Sequence, residues 1–376
     1  MNEWSTCEVA DSLSPTRVKR QHQIPAKDIA VEGGHPVIDQ EQSFISGYCD
    51  EADKLIDFDL PLIIFGDHTR CLKFVDFPFV LGADGTKVLS PRRDLYDPKF
   101  YYYALLSVNL PSRGYNRHFK LLKEQKIPLP PLQEQKQIAN ILTIVQRAVE
   151  AQERIIQITT ELKQALMQKL FSEGLRGEPQ KETDIGLVSE SWGVVELGGL
   201  GKCVTGSTPK TSMSSFYEPP TEDFIAPADL GARRYVYDSE KKISTEGMTT
   251  IRPIPKNAVM CVCIGSSIGK VGMSFRDVSA TNQQINSIVC REGLDPEFVY
   301  LLLSYRAEYW KSFATFGPLP ILSKGRFSLI NVPVPSSLEE QQAIAKPLIA
   351  LEKRIETAMK RSQFFKISSA VYSMNL

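Results

Sequence analysis

Four things are scarce in this sequence, and each scarcity removes a class of function. Neither charge is in excess: 44 Lys+Arg stand against 44 Asp+Glu. That argues against a protein that coats nucleic acid or membrane by bulk charge, while leaving room for a local basic face. The seven cysteines form no CxxC pair, and the four histidines all fall within the first 118 residues. Zinc-ligand spacing is therefore missing and no metal is expected. The thiols, including Cys261 and Cys263 in an apolar run, read as buried and reduced. No apolar run reaches the roughly 18 residues of a membrane span. The opening MNEWSTCEVADSLS lacks the apolar core of a signal peptide. The expectation is a cytoplasmic protein without membrane contact.

What is present is an ordinary globular composition, 42% apolar and 23% charged over 376 residues. This is enough chain for two or three domains. One stretch organises it. Residues 127–171, IPLPPLQEQKQIANILTIVQRAVEAQERIIQITTELKQALMQKLF, begin with a proline brace. A helix signal without Gly or Pro follows. A second copy, VPVPSSLEEQQAIAKPLIALEKRIETAMKRSQFFKISSAVYSM, closes the chain at 332–374, its start 205 residues later. In the first copy Ile138, Leu142, Val145, Val149 and Ile156 mark a heptad seam interrupted at Gln152, continuing as Ile158, Leu162, Leu166 and Leu170 at nearer four-residue steps. Lys136, Arg147, Glu150, Glu153, Arg154, Glu161 and Lys163 form the opposite, charged face. In the second copy Ile344, Leu348, Leu351, Ile355 and Ala358 form the stripe, with Pro347 expected to kink it slightly. Single stripes this long must be buried, and each is the obvious partner of the other.

The segments before the two helices also correspond. LPLIIFGD at 60–67 matches MCVCIGSS at 260–267, each an apolar strand ended by glycine, with Gly66 and Gly265 standing 199 apart. YDPKFYYYALLS matches LDPEFVYLLLS, placing helix caps Asp97 and Asp295 198 apart; each is followed by a proline suited to the first helical position. Trp192 echoes Trp4. CLKFVDFPFVLGADGTKVLS reads as two strands across an Asp84-Gly85 turn. The organisation expected is residues 1–131 as a first α/β domain, 132–172 a helix, 173–188 a Gly- and polar-rich linker, 189–336 a second domain and 337–376 a closing helix.

Candidate contact residues cluster at the ends of these strands and in basic stretches. His68, Thr69 and Arg70, after the strand ending at Gly66, offer donors and acceptors suited to base edges. A structural turn, or half of a hydrolytic pair from Asp67 and His68, uses the same residues. Lys73 adds charge. The stretch 99–126 is basic and interleaved with Tyr101, Tyr102 and Tyr103; its candidates are Arg113, Tyr115, Asn116, Arg117 and Lys120, set either for phosphate contact or as a solvated face. In the second half the candidates are Lys202, Ser207, Lys210, Ser266, Ser267, Lys270, Lys324 and Arg326. They include the amide run Asn282, Gln283 and Gln284, suited to adenine or to capping turns. GSSIGKV at 265–271 lacks the Ser/Thr and spacing of a phosphate loop and reads as a turn between strands. No GxGxxG loop, NPPY-type motif or nuclease carboxylate cluster is present, so the chain reads as a recogniser.

The braces with PLQEQKQIANIL and PSSLEEQQAIAKPL resemble the conserved regions of type I restriction-modification specificity subunits. GDHTRCLKFVDFPFVLGADGTKVL and IGSSIGKVGMSF with NQQINSIV resemble two of that family's target-recognition domains. The resemblance implies two tandem α/β recognition domains, each followed by a long helix, the helices pairing as an antiparallel coiled coil in a pseudo-twofold repeat. It implies a bacterial or archaeal protein without catalysis or cofactor of its own. Its partners would be double-stranded DNA with a bipartite target, two copies of an adenine-methylating subunit that carries S-adenosylmethionine, and ATP-driven restriction subunits. Gln133, Glu134 and Gln135 with Glu340, Gln341 and Gln342 are the expected docking residues, helix capping being the alternative. A scaffold built on the coiled coil, with the globular domains as adaptors, is the rival reading.

Overall fold

The two repeated helix signals fold as α2 and α4 in the series α1 (Pro98–Ser107), α2 (Leu132–Glu173), α3 (Pro296–Tyr305) and α4 (Leu338–Met374). A computed structural model describes residues 4–83, 85–111, 117–315 and 317–374. The chain divides into two units, Met1–Arg154 with Ala358–Leu376, and Ile155–Thr357. Each unit therefore holds a mixed α/β domain, one part of α2 and one part of α4.

In the first unit Ser5–Glu8 pairs antiparallel with Lys126–Leu129 and brings the start of the domain to the foot of α2. An antiparallel sheet has the order Leu13–Ser14, Thr86–Pro91, Leu62–Gly66, Leu72–Val75. Leu62–Gly66 is buried throughout, as its unbroken apolar run requires. A second sheet runs Gln23–Ile24, Val80–Gly82, His35–Ile38, Gly47–Cys49. The reading of Asp84-Gly85 as a hairpin turn is corrected here. Val80–Gly82 pairs in parallel with Gln23–Ile24 and His35–Ile38, so it belongs to a different sheet from Thr86–Pro91. Asp84 itself lies outside the described residues; Gly85 supplies a φ of +67°, which suits glycine.

The second unit repeats the plan at greater size. Trp192–Glu196 pairs with Asn331–Pro335. A five-stranded sheet has the order Gly201–Thr205, Ile285–Cys290, Val259–Val262, Val271–Ser274, Tyr235–Val236, and a four-stranded sheet runs Lys242–Ile243, Glu222–Ile225, Val278–Thr281, Pro253–Pro255. GSSIGKV joins two antiparallel strands and opens no helix, so it is a turn. The stretch 173–188 is more regular than a linker: Gln180–Thr183 pairs with Gly186–Ser189.

Both domain helices start as their sequences direct. Asp97 Oδ1 accepts the backbone N–H groups of Lys99 and Phe100, each at 3.0 Å. Asp295 Oδ1 accepts those of Glu297 at 2.7 Å and Phe298 at 3.3 Å. These bonds satisfy N–H groups that no preceding turn can serve. In the first unit the buried face of α1 (Phe100, Tyr101, Ala104, Leu105) packs on Ile63, Phe65 and Leu89 of the sheet and on Ala139 of α2.

The seam of α2 departs from expectation in its second part. Ile138, Leu142, Val145, Val149 and Ile156 are buried or half-buried as read, but Ile158 and Leu162 are each 53% exposed. The covered positions include the series Gln152, Ile156, Thr159, Lys163, Leu166 and Leu170. Their steps of four and three keep one face toward a neighbour, whereas repeated steps of four rotate off it. Polar residues thus hold seam positions, and Lys163, assigned to the charged face, lies in the seam. In the second unit it donates to Glu352 of α4 at 2.6 Å. In the first unit Lys366 of α4 meets Glu153 of α2 at 2.8 Å. Each pair joins a residue later in one helix to one earlier in the other, the order of antiparallel partners. α4 continues through Pro347 without interruption, with Ile344, Leu348, Leu351, Ile355 and Ala358 covered as expected.

Candidate nucleic-acid interface

In the first unit the loop after Gly66 is built by buried polar contacts. Asp67 is 2% exposed. Its Oδ1 accepts the Phe119 N–H at 2.7 Å, and its carbonyl oxygen lies 3.0 Å from His118 Nδ1. Asp67 thereby clasps the start of the short helix Phe119–Lys123, and the Asp67–His68 hydrolytic reading loses its acid to this structural task. Gln40 organises the rest. Its side-chain oxygen accepts the His68 N–H at 3.3 Å, and its carbonyl accepts the Thr69 hydroxyl at 2.6 Å. Arg70 takes φ +61° and donates to the Leu110 carbonyl at 2.8 Å. His68 and Thr69 are half-buried at the loop, while Arg70, Arg117 and Lys120 are exposed. Arg113, Tyr115 and Asn116 lie outside the described residues.

Lys73 is not at the surface. It is 3% exposed, donates to the Ser43 carbonyl at 2.6 Å and stands 3.7 Å from Asp39. Burial pushes its pKa down, and Asp39 offsets only part of that. It is a core cation with its own counter-ion, and its assignment to DNA contact is withdrawn. Tyr101, Tyr102 and Tyr103, among the basic residues, are likewise packing groups. Tyr101 is fully buried with its hydroxyl 2.7 Å from Ser12 Oγ. Lys99 lies 3.8 Å over the Phe74 ring, a cation–π contact that turns it inward.

In the second unit Ser266, Ser267, Asn282 and Gln284 come together on one cleft of about 460 Å³, with Asp229 and Lys241, which sequence reading missed. The amide pair is set by its own bonds: Asn282 Oδ1 accepts the Gln284 N–H at 3.0 Å and Asn282 Nδ2 donates to Gln284 Oε1 at 2.9 Å. Asp229 caps its loop by accepting the Ala226 N–H at 2.8 Å. Lys270 reaches the rim, 3.4 Å from the carbonyl of Pro227 in the cleft wall. Gln283 is exposed and accepts the Thr208 hydroxyl at 2.5 Å, and Ser207 Oγ accepts the Arg252 N–H at 3.3 Å. Lys202, Lys210, Lys324 and Arg326 are exposed but do not line the cleft. Arg306 and Lys311, which precede Lys324 and Arg326 in residues 301–326, are engaged within the unit by the Ile185 carbonyl and by Glu308.

The brace residues show how each domain is tied to its helix. Gln135 is fully buried. Its Oε1 accepts the Asp97 N–H at 2.8 Å and its Nε2 donates to the carbonyls of Pro130 at 2.8 Å and Leu95 at 2.9 Å. Gln341, 1% exposed, does the same with the Asp295 N–H at 2.9 Å, Pro335 at 3.1 Å and Gly293 at 3.4 Å. Neither amide is presented to a partner, so both assignments to docking are corrected. Burial of all their polar atoms is tolerable because all are bonded. The equivalence also resets the repeat: Gln133, Glu134, Gln135 correspond to Glu339, Glu340, Gln341. Glu340 is half-buried and accepts the Trp192 indole N–H at 3.0 Å. Gln133 and Gln342 remain exposed and Glu134 is half-buried.

No helix of the described residues is long and apolar enough to cross a membrane, and among them no group of three His, Cys, Asp or Glu is placed to hold a metal ion. The sequence is 29% identical over 204 residues to the MjaIX specificity subunit, a type I restriction enzyme component of Methanocaldococcus jannaschii, covering 52% of this chain and 46% of that protein. The match thus spans under half of that relative's length. A type I restriction enzyme specificity subunit of Escherichia coli is 27% identical over 387 aligned positions, covering 96% of this chain and 91% of the relative. The fold matches the crystal structure of a type I restriction-modification S subunit from M. genitalium with a TM-score of 0.70 at 18% identity, over 99% of this chain and 95% of that one. The family model described as the type I restriction modification DNA specificity domain matches twice, at residues 8–160 and 189–363, and the chain belongs to that family.

Proposed function

We propose that the chain is the DNA-reading subunit of a type I restriction-modification complex, each unit reading one half of a bipartite duplex target. The observation that carries this reading is the doubled specificity domain, tied to α2 and α4 by the same glutamine device at Gln135 and Gln341. In the second unit Asn282 and Gln284 beside Ser266 and Ser267 supply the amide and hydroxyl groups that read base edges. In the first unit the loop His68–Arg70 with Arg117 and Lys120 takes that part. The chain does no chemistry itself in this reading, consistent with the clasp that occupies Asp67. Two methylating subunits, carrying S-adenosylmethionine, dock on the two similar halves, with restriction subunits and their ATP beyond them. The exposed Gln133 and Gln342 remain the docking candidates. The protein works in the cytoplasm, where its DNA is.

A domain exchange tests the proposal. Replacing residues 1–126 with the corresponding domain of another family member changes one half of the methylated sequence in the host genome and leaves the other half intact. A change in both halves, or in neither, sinks it.

A further inference from the structure

The first unit carries a run of cations that the target-reading surface described above does not use. The segment TRVKRQH, residues 16–22, leaves the edge strand Leu13–Ser14 and crosses to Gln23–Ile24 in the second sheet. It is anchored at both ends. Thr16 Oγ1 donates to the Val88 carbonyl at 2.8 Å, and the Ile24 carbonyl accepts the Ala83 N–H at 2.8 Å. Between these anchors Arg17, Lys19 and Arg20 are exposed. The ion pairs formed among the described residues of this unit leave all three unused.

The segment separates two clefts of about 360 Å³ each, and Arg17 lines both. One contains Lys19 and His22 with the acids Asp53 and Asp57. Among the described residues Arg17 and Lys87 are the charged liners of the other, which Gly85 and Phe119 also line; Asp84 lies outside the described residues. Gly85 is the residue whose added Cβ would meet Gln40 and His68. Phe119 stands next to Lys120. Arg17 therefore shares a cleft with residues that adjoin the His68 loop and begin the Phe119–Lys123 helix, and Lys19 and Arg20 follow it as exposed cations of the same segment.

The corresponding station of the second unit is different. There the edge strand Gly201–Thr205 pairs with Ile285–Cys290, and the chain leaves it as GSTPK, residues 206–210. Lys210 is the one cation of that segment, and the neighbouring cleft includes Asp229 and Glu240 against Lys241. The two halves share a plan but not a charge.

We propose that Arg17, Lys19 and Arg20 form a phosphate-contact strip on the duplex backbone, so that the first unit holds its half-site largely by charge while the second holds its own by hydroxyl and amide groups. This inference rests on the reading of the chain as a DNA-binding subunit. Three neutralised phosphates release counter-ions, and each contributes about 0.9 to the slope of log affinity against log salt.

The test uses the full chain in its methylating complex and a duplex carrying the recognised bipartite sequence, titrated at about 50 to 200 mM salt. The triple variant Arg17→Gln, Lys19→Gln, Arg20→Gln is expected to flatten the slope by about 2.7, so that the affinity lost across that range shrinks about fortyfold. Its recognised sequence stays unchanged. Lys210→Gln flattens the slope by at most about 0.9. The charge-keeping variant Arg17→Lys, Arg20→Lys retains the parental slope. A triple variant with the parental slope overturns the strip while leaving DNA recognition standing. A charge-keeping variant that binds as poorly as the triple one also overturns it, because shape and not charge would then be at work. A parental complex without sequence-specific, salt-dependent retention removes the DNA reading and the strip together.

Discussion

Lys163 of α2 donates to Glu352 of α4 at 2.6 Å, within a seam from which the apolar Ile158 and Leu162 are turned away. Glu352 is shared further: Tyr300 donates to it at 3.4 Å, and Arg234, itself 3.1 Å from Glu297, lies 4.0 Å off. A carboxylate on the helix thus gathers cations from the opposing helix and from the bend that leads into the strand Tyr235–Val236.

Removing that carboxylate leaves a largely buried ammonium without its partner. Glu352→Ala is expected to destabilise the second unit by about 3 kcal/mol. Adding Lys163→Met recovers most of the loss, because the unpaired charge goes with it. Denaturant unfolding of the four corners of this cycle gives the coupling; additive losses would show that the pair is not a unit.

The glutamine lock is a matter of stability, not docking. Gln341→Ala exposes the Asp295 N–H and two carbonyls to an unbonded, buried existence and is expected to cost at least about 2 kcal/mol. Gln341→Glu, although isosteric, loses the N–H donors and sets a charge against the carbonyls of Pro335 and Gly293, so it destabilises as well. A docking role would instead leave the melting temperature unchanged and weaken complex assembly. The same pair of variants at Gln135 is expected to behave alike.

Lys73→Met is expected to leave the salt dependence of DNA binding unchanged, since the residue is buried, while leaving Asp39 without its ion pair. A calorimetric loss of about 1–3 kcal/mol with an unaltered salt slope confirms the placement. A flatter slope with full stability refutes it.

Asp223 gives the second unit an acid limit. Burial raises its pKa, but hydrogen bonds from Lys242 at 2.7 Å and from Arg276 outweigh that and hold the group at about 2. A folded pKa below the unfolded value of 3.8 contributes stability above about pH 4 and loses it as pH falls toward 2. Asp223→Asn is therefore less stable than the parent at neutral pH, and the difference narrows between pH 4 and 2. A constant difference across that window would contradict the assignment.

What was legible in the sequence was chiefly local. Asp97-Pro98 and Asp295-Pro296 announce helix starts because the cap acts within three residues. Leu62–Gly66 and Val259–Val262 declare buried strands by composition alone. The choice between two stripes on α2 was not local. Ile158 and Leu162 look like core until the opposing helix decides which face is covered. Lys73 looks like a surface charge because its counter-ion, Asp39, lies 34 positions earlier. The Asp84-Gly85 turn misled because parallel pairing with Gln23–Ile24 and His35–Ile38 draws Val80–Gly82 into another sheet. Gln135 carried a readable sign that went unused: the same residue recurs at 341, three positions after the helix-opening leucine in each copy. The cations of residues 17–20 were likewise in plain view, as a basic run directly after the first sheet strand.

The lock at Gln135 and Gln341 grips only main-chain groups: the amides of Asp97 and Asp295 and the carbonyls of Leu95, Pro130, Gly293 and Pro335. Main chain is common to every sequence. An incoming domain needs no matching side chain to be seized at this point, only a helix that begins in the same place. Recombination between related genes can therefore import a new recognition surface without disturbing its mounting, and inherit a new target in one step.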